Sequence, residues 1–235
     1  NHFNIKTPMT SYHEYNKIQK AYTLIGKMQQ GMNIALITDA GTPGISDPGE
    51  ELARMCLDAG IEVTSLPGPA ACITALTLSG FSTRRFAFEA FLPMDKKERK
   101  EVLQELVDET RTIIIYEAPH KLVKTLKDLR ETLGNRRITL CRELTKKHET
   151  AFRTTIEELL SCYENEKPLG ECVLVIEGKS RKELKEAEAA SWETVPVEEH
   201  MKIYEKQGMS RKDAMKQVAK DRGMSKREIY QMLLE

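Results

Sequence analysis

The run Asp39-Ala40-Gly41-Thr42-Pro43-Gly44-Ile45-Ser46-Asp47-Pro48-Gly49 holds three glycines, two prolines and two aspartates in eleven residues, directly after the apolar stretch Ile34-Ala35-Leu36-Ile37. Such a loop lets backbone N–H and C=O groups approach a ligand while its prolines hold their geometry. It matches neither G-x-G-x-x-G opening a helix nor G-x-x-x-x-G-K-[ST], so neither a Rossmann dinucleotide site nor a P-loop is indicated. Asp47 or Ser46 can cap a helix starting near Glu50, but Gly41 to Gly44 is more than a cap requires. Further along, Glu117 and His120 lie in Tyr116-Glu117-Ala118-Pro119-His120. Arg142, Glu143 and Lys146 lie in Arg142-Glu143-Leu144-Thr145-Lys146, with His148 two residues on. Asp39, Glu117, His120, Glu143 and His148 can accept a proton, and Arg142 and Lys146 can hold an anion. Each also has a plainer reading. Asp39 can bond its own loop, Glu117 the amides that follow it, and His120 can cap the helix from Lys121. His148 can be solvated, and Arg142 and Lys146 can form surface ion pairs.

Those loops must be held by regular elements, and hydrophobic periodicity places them. Helices are expected at Tyr12–Gln30, Glu50–Ala59, Ala70–Leu78, Lys96–Glu109, Leu122–Leu133 and Thr155–Glu164. Strands are expected at Ile34–Ile37, Ile61–Leu66, Arg85–Leu92, Thr112–Tyr116, Arg137–Cys141 and Glu171–Glu177. The first strand, helix, strand, helix succession implies βαβ units and a parallel sheet. The whole reads as two tandem α/β units whose unusual loops fall at strand ends, where open α/β sheets bind ligands.

The charged stretch from Arg181 to Ala190 is the best linker candidate. After it come three short helices, Val197–Gln207, Arg211–Arg222 and Lys226–Leu234, joined by two copies of Gly-Met-Ser. Each copy supplies a helix stop and a serine N-cap, and the second joins its helices as in a helix-turn-helix. From Met201 onward nine basic residues face five acidic ones, a net +4 in a chain whose 36 basic and 36 acidic residues cancel overall. That charge suits phosphate contact; a solvated helical cap or dimerisation element reads as well.

Composition narrows the classes. The 235 residues, 40% hydrophobic and 31% charged, suit a soluble protein with more than one compact unit. Five cysteines without a C-x-x-C pair fit a reducing cytosol, and five scattered histidines give no metal-ligand spacing. No apolar run reaches the ~20 residues of a membrane span and no signal peptide is visible, so a cytoplasmic location is expected. The chain opens at Asn1 without a strand before its first helix, which implies a preceding segment.

Taken in order, Asp39–Gly49, Leu66-Pro67-Gly68-Pro69-Ala70-Ala71, Tyr116–His120, Arg142–Lys146 and Gly170-Glu171 before the strand Cys172–Ile176 form a set. It resembles the tetrapyrrole-methylase-fold enzymes, and within them the small-subunit ribosomal RNA cytidine 2′-O-methyltransferases. The resemblance runs from Asn1 to about Gly178, and the basic tail is similar to the helical extension of that subfamily. It implies an α/β class III methyltransferase with two tandem domains, residues 1–82 and 83–180. A linker over 181–195 and a small helix-turn-helix-like domain over 196–235 follow. Members begin with a strand and a Thr-Pro-Ile-Gly-Asn type of loop, and this chain starts after it.

The resemblance further implies S-adenosylmethionine between the domains, usually in a homodimer, with no metal and no membrane, and small-subunit ribosomal RNA as substrate. By analogy the cofactor meets Thr42, Pro43, Gly44, Ile45, Ala70, Ala71, Cys72, Tyr116, Ala118, Leu144, Gly170 and Glu171. Substrate contacts fall to Asp39, His120, Arg142, His148, Arg211, Lys212, Lys226 and Arg227. Glu143 with Lys146 is expected to act on the substrate side and Glu117 on the cofactor side. Two alternatives stay open: a corrin or porphyrin-precursor methylase on the same fold, and a ligand-sensing nucleic-acid-binding regulator.

Overall fold

A computed structural model describes residues 4–164 and 166–234. Its centre is one five-stranded sheet of β1 (Phe86–Phe91), β2 (Thr112–Glu117), β3 (Arg137–Arg142), β4 (Thr150–Thr155) and β5 (Cys172–Ile176), in the order β1-β2-β5-β3-β4. β1 and β2 run parallel, and the other three pairs are antiparallel. All five strands come from the second unit and form a mixed sheet, whereas the parallel sheet was expected of the first strand, helix, strand, helix succession. The reversal comes from β5, which enters between β2 and β3 and so has neighbours on both sides. Its run Cys-Val-Leu-Val-Ile is buried throughout, as a central strand must be.

Strand alternation sends side chains to two faces. Ile113, Ile115, Leu140, Leu174 and Ile176 join one core with Leu122, Leu126, Leu129 and Leu133 of α5 (Leu122–Leu133). Spacings of four, three and four make α5 amphipathic, and each of those side chains contributes about 1.5–3 kcal/mol on burial. α4 (Lys96–Glu105) and α6 (Ile156–Cys162) cover the same face. On the other face Ile114, Cys141, Val173 and Val175 pack on α3 (Ala71–Ser79) through Cys72, Ala75 and Leu76. α3 consists of small and apolar residues because it lies close against the sheet.

The first unit departs most from expectation. α1 (Lys17–Gln29) and α2 (Gly49–Asp58) form and pack together through Leu24, Ile25, Leu52 and Cys56. The stretches 34–37 and 61–66, however, carry no strand ladder. Ile34, Leu36 and Ile61 lean on the helix pair, whereas Ile37 is 66% and Leu66 82% exposed. A strand exists only with a neighbour to take its N–H and C=O groups, and none of the described residues supplies one. β4 went unread because its Thr-Ala-Phe-Arg-Thr-Thr sits on the sheet edge and lacks an apolar run.

The expected linker over 181–195 is mostly helix, α7 (Arg181–Ser191), begun by a Ser180/Glu183 capping box. Beyond it α8 (Val197–Lys206), α9 (Arg211–Asp221) and α10 (Lys226–Met232) enclose their own core of Val197, Met201, Ala214, Val218 and Ile229. The Gly-Met-Ser joints behave as read: Ser210 and Ser225 accept the Asp213 and Glu228 N–H groups.

Candidate active site

The Gly-rich loop is tied at both ends by its own side chains. Asp47 accepts the Gly44 N–H at 2.8 Å and the Gly49 N–H at 2.7 Å, so it, and not Ser46, serves the start of α2. Thr38 donates to the Ala40 and Gly41 carbonyls. Thr42 fastens this loop to the next one, its N–H and its hydroxyl both donating to the Pro69 carbonyl, at 2.9 and 3.0 Å. A Cβ at Gly68 would lie 2.8 Å from Thr42 Oγ1, so a side chain there would displace the hydroxyl that ties the two loops. Gly41 and Gly44 have φ of 83° and 81°, which leaves their peptide groups turned out of any regular ladder.

The second loop leads into α3, whose Cys72 N–H donates to Tyr116 Oη at 2.9 Å. Burial, with the hydrogen bond to Cys72 behind it, pushes the Tyr116 phenol up to about 12, so it stays neutral. Phe88 and Phe91 meet Tyr116 edge-on, with ring centroids 4.9 and 5.7 Å away. A bulge in β1 at Ala90, where φ is 50°, lies between those two rings. Ala70, Phe88, Tyr116 and Leu144 all pack against the core around Cys72. Four residues expected at the cofactor, Ala70, Cys72, Tyr116 and Leu144, thus converge, and Thr42 is held beside them through Pro69.

The third element is the turn after β3. Glu143 and Thr145 have φ of 49° and 65°, left-handed values that flank Leu144. Glu143 Oε1 accepts the Glu171 N–H at 2.8 Å and faces Lys146 Nζ at 3.3 Å, and Lys146 also reaches Glu171 Oε2 at 2.9 Å. Gly170 (φ 78°) makes room, since a Cβ there would lie 2.6 Å from the Glu143 side chain. The Glu171 N–H and then Lys146 hold the Glu143 carboxyl below its usual range, and the two carboxylates raise Lys146. Arg142 donates from Nε to the Leu169 carbonyl. Glu143, Lys146, Gly170, Glu171 and Arg142 therefore form one corner, with Leu144 linking it to the Tyr116 cluster.

Glu117 belongs elsewhere. Tyr116 faces α3, so Glu117, one residue on, faces α5. There its buried carboxylate accepts the Ala118 N–H at 2.8 Å and the Thr125 hydroxyl. Arg99 donates to Thr125 and to Asp128, both at 2.8 Å, closing a network beneath the sheet. Glu117, expected on the cofactor side, thus has both carboxylate oxygens engaged on the α5 side, and the Ala118 N–H is engaged with it. Thr125 and Arg99 were missed by sequence reasoning; the available signal was a threonine on the otherwise apolar stripe of α5. Asp39, Ile45, Ala71, His120 and His148 are exposed, and Pro43 is half-buried. Arg211, Lys212, Lys226 and Arg227 are exposed on the C-terminal helices, outside the α/β corner. Among the described residues no group of three His, Cys, Asp or Glu could hold a metal ion.

The family model of the Tetrapyrrole (Corrin/Porphyrin) Methylases matches residues 2–160. A Synechocystis protein named ribosomal RNA small subunit methyltransferase I is 43% identical over 235 residues, covering 100% of this chain and 82% of its own length. A Bacillus subtilis protein of the same name is 44% identical over 228 residues, covering 97% of this chain and 78% of its own. Among solved structures the methyltransferase CobJ superposes with a TM-score of 0.55 at 17% identity, over 73% of this chain and 74% of that one. Diphthine synthase gives 0.51 at 12%, over 72% and 68%. At those identities they establish the fold alone.

Proposed function

The chain belongs to the tetrapyrrole (corrin/porphyrin) methylases, and from that membership we propose that it methylates a ribose 2′-hydroxyl of a cytidine in small-subunit ribosomal RNA. It is an S-adenosylmethionine-dependent methyltransferase. The observation that carries the substrate reading is the 43% identity to a ribosomal RNA small subunit methyltransferase I across the whole chain, basic helical tail included.

The residues present fit the cofactor. Gly41 and Gly44 offer backbone groups, Ala70 takes little space, and Tyr116 with Phe88 supplies an apolar wall. S-adenosylmethionine supplies an activated methyl group whose departure leaves a neutral thioether. The protein's task is then alignment, exclusion of water and reception of the hydroxyl proton. Glu143 suits the last. Its Oε1 is engaged by Glu171 and Lys146, whereas Oε2 makes no hydrogen bond among the described residues. Being held ionised, it orients a hydroxyl and receives its proton as the C–O bond forms. Lys146 fixes Glu143 and sets a positive charge beside an incoming phosphate.

A homodimer and a cytoplasmic location belong to the same proposal. The exposed Ile37, Leu66, Ile73 and Met94 support a further protein surface over the α/β body. Among the described residues no helix is long and apolar enough to cross a membrane. The test is methyl transfer from labelled S-adenosylmethionine to unmodified small ribosomal subunits. Label in RNA is expected; label in a porphyrin precursor and none in RNA would overturn the reading.

A further inference from the structure

α7 fills a segment whose sequence suggests only a tether, and none of its residues is buried. It lies instead along one side of an open cleft of about 460 Å³ whose other side is the turn from α9 to α10. Arg181, Lys182, Lys185 and Arg222 line that cleft against one acid, Glu186, while the small Ala189 and Gly223 keep it open. We propose that this cleft binds the ribose-phosphate backbone of the RNA substrate, a role that rests on the RNA-methyltransferase reading above.

Arg222 is the strongest reason. It is half-buried, and its guanidinium donates to the Val195 carbonyl and to His200 Nδ1, both neutral acceptors. The adjacent Asp221 makes no ion pair with it: its carboxylate accepts from the Tyr204 hydroxyl at 2.5 Å and Gln217 Nε2 at 2.8 Å and lies 3.4 Å from His200 Nε2, across the imidazole from Arg222. Among the described residues no carboxylate lies within ion-pair distance of Arg222, Arg181 or Lys185, and Lys182 has only Glu186, at 3.7 Å. A partly desolvated guanidinium bonded only to neutral groups favours an anion, and its planar fork suits phosphate. The other cations form a row. Arg181 and Lys185 are one helical turn apart, ~6 Å along the axis. A row of cations on an open cleft matches a polyanion better than a single small anion.

The test compares full-length wild type with the double variant Arg181→Ala/Lys185→Ala and with Glu186→Gln. A matched control, Lys96→Ala/Lys97→Ala, removes two exposed charges from α4. Binding to an unmodified small-subunit ribosomal RNA transcript is measured from 50 to 200 mM salt, and methyl transfer is measured on the same preparations. Each phosphate contact gives a salt slope of about 0.7 on single strands and about 0.9 on a duplex, so the double variant should lower the slope by about 1.5 to 2 and lose about tenfold less affinity than wild type over that range. S-adenosylmethionine affinity should not change. Glu186→Gln should bind RNA about threefold more tightly, a gain that misfolding cannot imitate. An unchanged slope, an equal drop in the control, or weaker binding by Glu186→Gln would overturn the proposal. Methyl transfer to RNA with no slope change would remove the cleft and keep the enzyme reading. A lowered slope without any methyl transfer would keep the cleft and remove that reading.

Discussion

Tyr116 joins the two halves of the site through one hydrogen bond, the Cys72 N–H at the start of α3 donating to its phenol. Tyr116→Phe leaves that N–H without its acceptor, at a cost of about 1–3 kcal/mol. The lost alignment of α3 should weaken S-adenosylmethionine binding about tenfold by calorimetry; unchanged affinity would take Tyr116 out of the site. Glu143→Gln keeps the shape and the Glu171 contact but removes the proton acceptor. Turnover should fall about a hundredfold, the low end for general bases, because Glu143 is held below its usual basicity. Cofactor affinity should change little, and full turnover in the variant would exclude Glu143 from the chemistry. The Gly-rich loop was legible from composition because so many Gly, Pro and Asp residues in one stretch have few other uses. The side each residue faces was not. Tyr116 and Glu117 are neighbours in sequence but opposite in a strand, and only the register with β5 decides which one meets α3.

Glu109 shows how a loop fixes an element. Its carboxylate accepts from the Arg111 N–H and guanidinium just before β2, and its carbonyl accepts the Lys179 N–H. The Arg111 side chain above all holds the Glu109 carboxyl down at about 2. A lowered folded pKa means stability that is present above the unfolded value near 4.5 and is lost as pH falls toward 2. Wild type should therefore be more stable than Glu109→Gln at neutral pH, with the gap closing between about pH 4.5 and 2 in denaturant titrations. A gap independent of pH would contradict this. At this scale the helices were the readable elements, since α5 and α8–α10 carry their own periodicity and caps. The strands depended on partners. β5 was visible because burial on both faces forces an apolar run, and β4, on the edge, was not. The apolar stretches 34–37 and 61–66 have strand composition without a described neighbour to pair with.

Across the molecule, an α/β body holding the Glu143–Lys146 corner is followed by a helical bundle with its own core, and α7 lines a basic cleft with that bundle. On the proposed reading the two parts divide the work: the body would align cofactor and hydroxyl, and the tail would supply charge for RNA. Ile229 is fully buried in the bundle. Ile229→Ala should cost about 2–5 kcal/mol, enough to unfold a unit of that size. RNA binding should fall while S-adenosylmethionine affinity stays near wild type; parallel loss of both would mean that the bundle and body are one cooperative unit. The net +4 of the tail was readable by counting, but the cleft was not, because Arg181 and Arg222 are far apart in sequence and meet only once α7 forms. The most direct test of the whole account is alkaline hydrolysis of small-subunit RNA labelled by the full-length protein with S-adenosylmethionine. 2′-O-methylation removes the hydroxyl that attacks the adjacent phosphate, so the account predicts a labelled, alkali-resistant dinucleotide beginning with methylated cytidine. Label released entirely as mononucleotides would place the methyl group on a base and contradict it.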